Sequence, residues 1–236
     1  ISEFKKILKF AKKNKINSID VAPEYKNVFN TLNEINLKNW NVYSKVSNIP
    51  EDINLIEDYI LNSVSENLKR IKIKNFKGLM IHWPWDLKRS NYKIINKSLK
   101  KLKKYKLSSE VGISLYSNYL KKNYLNLIDL DFIQCPFNLV DQSLKEKNMI
   151  KFFQRKKIKI IVRSIFFQGI LLNSSLKKFN ILKKYPVFLK KLEDFKKKQE
   201  NLLNLNLNFI FSHKFFSNSV IGFDNSNQFI EINEII

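Results

Sequence analysis

Apolar positions along this chain alternate between two periods. Phe4, Ile7, Leu8 and Ala11 fall three and four apart with lysines between them, which predicts a helix over residues 1–15. Residues 17–22 follow as a short β-branched strand. Val28, Phe29, Leu32, Ile35 and Leu37 predict a second helix over 27–37, and residues 41–46 a second strand. The clearest helix spans 53–72, where Ile53, Ile56, Ile60, Val64, Leu68 and Ile71 trace one face. The alternation then repeats: strand 78–83, helix 92–105, strand 110–115, a short helix over 117–124, strand 130–137 and helix 143–155. Residues 158–165 form an almost continuous apolar run, suited to a strand buried on both faces. Two helical pieces over 183–215, a last strand at 219–223 and a final helix at 226–235 complete the chain.

Seven strands alternating with helices read as repeated βα units on a parallel sheet. Short buried strands over 236 residues suggest a (β/α)8 TIM barrel. The alternative is a doubly wound sheet, which should carry a glycine-rich phosphate loop after an early strand. Neither G-x-G-x-x-G nor a Walker-type loop occurs. The barrel count is one strand short and the chain opens on a helix, beginning with Ile1 rather than Met. A first strand upstream of Ile1 would repair both, so we read residues 1–236 as one barrel domain, N-terminally incomplete. The whole chain has four glycines: Gly78, Gly112 and Gly222 lie in or beside a predicted strand, and Gly169 lies just past one. In so Gly-poor a chain they mark backbone or ligand constraints that a side chain would violate.

Composition narrows the function classes. A chain 44% hydrophobic and 13% aromatic is not a disordered one. No apolar run approaches the ~20 residues needed to span a bilayer, and no signal peptide is visible. The single cysteine, Cys135, excludes an internal disulfide and fits a reducing, cytoplasmic setting; on an apolar strand it reads as inert packing. The net charge of +22 invites a nucleic-acid reading. Its lysines, however, are spread over most helices, as in Lys100–Lys104 and Lys196–Lys198, with no zinc-ligand spacing or RNA-binding aromatic motif. They read as solvated helix faces. The expected partner is therefore a small molecule, not nucleic acid or membrane.

Four ionisable side chains stand at or just beyond strand ends: Asp20, Tyr25, Lys45 and His82. Three have a plain structural reading alone, a turn residue, one surface lysine among many and a satisfied core histidine, and Tyr25 alone says nothing. An acid, a phenol, an ammonium and an imidazole gathered at the C-terminal ends of barrel strands are the parts of a proton-transfer site.

The segments around them resemble the aldo-keto reductase family. The matching pieces are Asn17–Tyr25, Ser44–Val46, Ile81–Pro84, Val111–Ser114, Ile133–Asn138, Arg163–Ser164 through Gln168–Gly169, and Val220–Gly222, all in the family's order. The resemblance implies a metal-free (β/α)8 barrel that reduces carbonyls with NADPH or NADH. It assigns the catalytic tetrad to Asp20, Tyr25, Lys45 and His82. A free phenol is a weak acid at neutral pH, and an adjacent ammonium favours its ionised form. Lys45 would thus activate Tyr25 to protonate the substrate oxygen, Asp20 would hold Lys45, and His82 would orient the carbonyl.

For the cofactor, the resemblance implies Ser114 and Gln134 at the nicotinamide carboxamide, with Leu115 where many members have Asn. Arg163 stands where many stack an aromatic ring. Ser164 and the backbone at Gly169 would meet the pyrophosphate. Gly222, Asp224 and Gln228 would form the adenosine-phosphate loop, with Glu231 near the adenine. No Arg or Lys lies between Ser219 and Ile236 to meet a 2′-phosphate, and Asp224 would repel one, which favours NAD(H) or dual use. Trp83, Trp85 and Tyr116 are candidates for the substrate mouth. The substrate is expected to be an aldehyde, ketone or sugar. The rival class is a nucleotide-binding regulatory barrel with little turnover.

Overall fold

The computed structural model describes residues 2–25, 27–88, 90–120, 125–173, 176 and 184–236. The strands are β1 (Ser18–Asp20), β2 (Asn41–Val46), β3 (Phe76–Ile81), β4 (Ser108–Ser114), β5 (Phe132–Pro136), β6 (Lys159–Arg163) and β7 (Asn218–Ser219). They form one sheet in chain order, and every neighbouring pair is parallel. The helices are α1 (Ser2–Lys13), α2 (Val28–Asn33), α3 (Ile53–Arg70), α4 (Tyr92–Lys104), α5 (Met149–Arg155), α6 (Pro186–Lys197), α7 (Leu202–Phe211) and α8 (Ser226–Ile235). The sheet curls into the wall of a (β/α)8 fold that lacks one strand: among the described residues no ladder joins β7 to β1. The helical layer bridges that opening. On α1, Glu3 accepts from the Ser226 amide at 2.6 Å, and just after α1 Asn14 accepts from Asn233 Nδ2 of α8 at 3.1 Å. No helix among the described residues is long and apolar enough to cross a membrane.

α3 shows why these segments fold as they do. Asp52 caps it by accepting from the Asn54 amide at 2.9 Å, Lys69 and Arg70 occupy the negative end of its dipole, and Ile56, Ile60, Val64 and Leu68 bury one face. Successive strand side chains point to opposite faces, which divides the sheet cleanly. Val42, Leu79, Ile81, Val111, Ile133 and Val162 pack outward among helical residues such as Ile60 and Leu99. Met80, Phe132 and Ile161 pack inward with Tyr43 and Val220. At the N-terminal end of this lumen Glu110 is clasped by Lys77 at 2.6 Å and Lys159 at 2.9 Å. Burial alone would raise its carboxyl; the two ammonium groups outweigh burial and hold it below the usual range.

Two glycines are demanded by this lumen. A Cβ on Gly112 would lie 2.6 Å from the Phe132 carbonyl oxygen and 2.7 Å from its ring, and one on Gly78 would lie 2.5 Å from the Tyr43 ring. Gly112→Ala should therefore destabilise the protein by about 1–3 kcal/mol through overpacking, read as a lowered urea midpoint. Here the obstacle includes backbone, which cannot rotate aside. At Gly222 a Cβ would meet nothing within 4 Å, so no protein atom requires glycine there.

Several element boundaries depart from the sequence expectations. The last strand is only Asn218–Ser219, although the Val220 amide still reaches Val162 O at 2.8 Å. With one described neighbour, it has little ladder to extend it. The helix expected over 143–155 is confined to α5, preceded by a single 3-10 turn at Glu146–Asn148. Of the helix expected over 117–124, the described part is a 3-10 turn, Ser117–Tyr119; residues 121–124 lie outside the described residues.

Candidate active site

The parallel register brings a set of polar side chains to one end of the lumen. Asp20 pairs in register with Tyr43, Lys45 with Met80, and Ser114 with Gln134, while Arg163 stands opposite Pro136. By strand alternation Asp20, Lys45, His82, Ser114, Gln134 and Arg163 all fall on the inner face, at the C-terminal ends of their strands. This is the end at which (β/α)8 folds carry their sites.

At the centre is an ion pair. Lys45 Nζ donates to Asp20 Oδ1, and the two side chains are 3% and 11% exposed. Nζ also lies 3.4 Å from Val21 O. The other Asp20 oxygen accepts from Gln134 Nε2 at 2.8 Å, across the lumen. Each charge is thus hydrogen-bonded as well as paired, the condition under which a buried ion pair persists. Lys45 Nζ sits 5.3 Å from the centroid of the Tyr25 ring, a cation–π distance. Tyr25 lies on the loop after β1 and is 46% exposed, so its ring flanks the pair from the solvent side.

His82 follows β3 directly and is buried. Burial first, then the charges of Lys45 and Arg163, lower its pKa from 6.5 to about 4, so the imidazole is neutral at neutral pH. The Glu24 carboxylate approaches Nδ1 to 3.3 Å, but outside hydrogen-bonding geometry, and Nδ1 is left without a partner. The imidazole heads a row of stacked planes. Its centroid is 4.0 Å from Trp83, Trp83 is 4.8 Å from Trp85, and Trp85 is 5.9 Å from Tyr116. The Arg163 guanidinium closes the row, 4.7 Å over Tyr116. Arg163 also donates to Leu115 O at 3.0 Å and to Ser164 Oγ at 3.2 Å. The three aromatic residues expected at a substrate mouth are therefore one continuous stack at the rim.

Beside the lumen opens a cavity of about 1190 Å³. Ser164, Gly169, Gly222, Asp224, Gln228 and Glu231 all line it. Ser114, Gln134 and Arg163 do not line it; they stand on the inner ends of β4, β5 and β6. The cofactor residues expected from sequence thus divide into a lumen group and a cavity group. The cavity floor is shaped by a left-handed run, Phe167, Gln168 and Gly169, with φ of 47°, 54° and 79°. Gln228 stiffens the far wall: its Oε1 accepts from the Asp224 amide at 2.8 Å and its own amide donates to Asn225 Oδ1 at 3.0 Å, capping α8.

A match to the family model "Aldo/keto reductase family" covers residues 2–236. The chain belongs to the aldo/keto reductase family. Members are nicotinamide-dependent oxidoreductases acting on small carbonyl compounds. Comparison with curated protein sequences gives no match. Among solved structures the fold is similar to aldo-keto reductase AKR11C1 from Bacillus halodurans in its holo form, with a TM-score of 0.76 and 18% identity over 98% of this chain and 79% of that one. It is also similar to PA4992 of Pseudomonas aeruginosa, described as an aldo-keto reductase, with a TM-score of 0.70 and 16% identity over 97% and 77% of the two chains. The glycerol dehydrogenase AKR11B4 from Gluconobacter oxydans gives 0.66 and 16% identity over 98% and 84%. At these identities the likeness is one of fold.

Sequence reasoning missed two charged residues of this family member. Glu24, inside the Asn17–Tyr25 segment, carries no local sign that it faces His82. Lys196 lines the cavity and is buried, although it sits in a lysine run that reads as solvent-facing. Cys135 is buried, its thiol pushed up to about 12 by burial, in line with a packing role. His213 Nδ1 lies 2.7 Å from Phe209 O and the ring packs edge-on against Phe137, far in chemistry from the site. No group of three potential metal-ligating side chains occurs among the described residues.

Proposed function

We propose that residues 1–236 act as one cytoplasmic barrel domain that interconverts a small aldehyde, ketone or sugar and its alcohol. The observation that carries this reading is the Asp20–Lys45 pair, buried beneath the Tyr25 ring and braced by Gln134. A nicotinamide dinucleotide fits the architecture. The 1190 Å³ cavity is of a size for its nucleotide half, and the lumen group, Ser114, Gln134 and Arg163, stands where the nicotinamide would reach the tetrad. When bound, the dinucleotide supplies or accepts the hydride.

The chain's own residues manage the proton. In reduction the Tyr25 hydroxyl donates to the carbonyl oxygen, and in oxidation the phenolate takes the proton back. Lys45 places a fixed positive charge beside the phenol and favours its ionised form; Asp20 holds that charge in position. Neutral His82, held in plane by Trp83, presents a ring nitrogen to the carbonyl oxygen and orients it. The stacked row from Trp83 to Tyr116 walls the substrate from water on one side.

Asp224 and Glu231 on the cavity wall favour a free 2′-hydroxyl over a 2′-phosphate. NADH should bind more tightly than NADPH by about three- to tenfold, a modest ratio because both carboxylates are exposed and screened. Fluorescence titration with the two cofactors, followed by turnover against a panel of aldehydes and aldoses, tests the proposal. Failure to bind either cofactor, or binding with no turnover of any carbonyl, would sink it.

A further inference from the structure

Lys196 lies in the last turn of α6 and is 5% exposed. Its neighbour Lys197 has a side chain 77% exposed and a carboxylate, Asp194, at 3.9 Å. Lys196 is different in kind. Its Nζ donates to Ile170 O at 2.7 Å and to Asn173 O, both in the segment after β6 that carries Gly169. No carboxylate among the described residues comes within ion-pair distance of it. Both Lys196 and this segment line the 1190 Å³ cavity. Burial lowers its pKa, and the field of Glu193 works the other way. The other charged groups lining the cavity are Lys197, Glu200, Asp224 and Glu231.

A buried ammonium satisfied only by carbonyl dipoles is an incomplete arrangement. Carbonyls accept its protons but do not neutralise its charge, and an uncompensated buried charge costs several kcal/mol. Among the described residues two of its three protons are taken, which leaves one donor for a ligand in the cavity it lines. An anion entering there supplies what the protein withholds. We propose that Lys196 Nζ is the counter-charge for a phosphate group of the nucleotide bound in this cavity. The assignment rests on the dinucleotide reading above. It places a buried cation of the cavity on α6, whereas the segment after Ser219 has no Lys or Arg.

The test compares ADP, adenosine and inorganic pyrophosphate as probes by calorimetry on the whole chain. Lys196→Met should weaken ADP and pyrophosphate by about tenfold or more, the size of a lost charge-assisted hydrogen bond, with adenosine changed by less than about twofold. Lys196→Arg should keep most of the phosphate affinity. If Lys196→Met fails to fold, Lys196→Gln carries the same comparison, because its amide can still donate to the two carbonyls. Equal losses for ADP and adenosine identify Lys196 as a strut between α6 and the Gly169 segment and overturn the assignment, as does no loss at all. NADH binding with unchanged ADP and pyrophosphate affinities in the variant removes this inference and leaves the oxidoreductase reading intact. ADP and pyrophosphate binding that depends on Lys196 in a protein that binds neither NADH nor NADPH does the reverse.

Discussion

Tyr25→Phe is expected to lower kcat for carbonyl reduction by about 10²–10⁴-fold, the range of general acid catalysis. The substitution removes one oxygen and one proton. The ring survives, so its contact with Lys45, at 5.3 Å from the centroid, survives with it. Tyr25 is 46% exposed and sits on a loop, so stability should move by no more than about 0.5 kcal/mol. Cofactor affinity should stay within about twofold, since Tyr25 is not among the residues lining the cavity. Steady-state kinetics with a reducible aldehyde, together with a cofactor titration, separate these quantities. A variant that turns over at the wild-type rate would mean that another group delivers the proton, and the mechanism would have to be abandoned.

Lys45→Met should combine loss of turnover with loss of stability. Asp20 would be left largely buried and without its cation, retaining among the described residues only the Gln134 hydrogen bond at 2.8 Å. Breaking one partner out of a buried pair typically costs about 3–5 kcal/mol, because the stranded charge has no solvent to turn to. The penalty belongs to Asp20, so Lys45→Met combined with Asp20→Asn should recover much of the stability and none of the activity. That split is the informative result, since it separates the charge needed for folding from the charge needed beside the phenol. Urea unfolding and turnover measured on the single and double variants provide it. A stable Lys45→Met protein would contradict the buried pair, and an active one would contradict the role given to the ammonium.

The barrel could be read from sequence because its signals are local. Helical spacing in α3 and the short Val- and Tyr-bearing stretch of β2 each need only a few neighbouring residues, and β2 runs over the expected 41–46. The ends of elements were less legible. β7 is two residues where five were expected, because strand length is set by the ladder available and not by the residues' own preference. The candidate tetrad was visible through spacing to strand ends and through resemblance. Its support was not: Gln134 reaches Asp20 across 114 positions of chain, and nothing near either residue announces the contact.

Chain order alone determined that Asp20, Lys45, His82, Ser114, Gln134 and Arg163 share one rim. In a parallel sheet with consecutive strands side by side, order along the chain becomes position around the lumen, and period-2 alternation aims each side chain inward. Tertiary structure decided which of those groups touch, that His82 is held neutral, and that Trp83, Trp85, Tyr116 and Arg163 form a single stack. It also decided that, of Lys196 and Lys197, which both line the cavity, the first is buried against the Gly169 segment and the second is exposed. Burial and charge balance belong to the packed assembly, and a helix's lysine run does not say which of its members a neighbouring segment will cover.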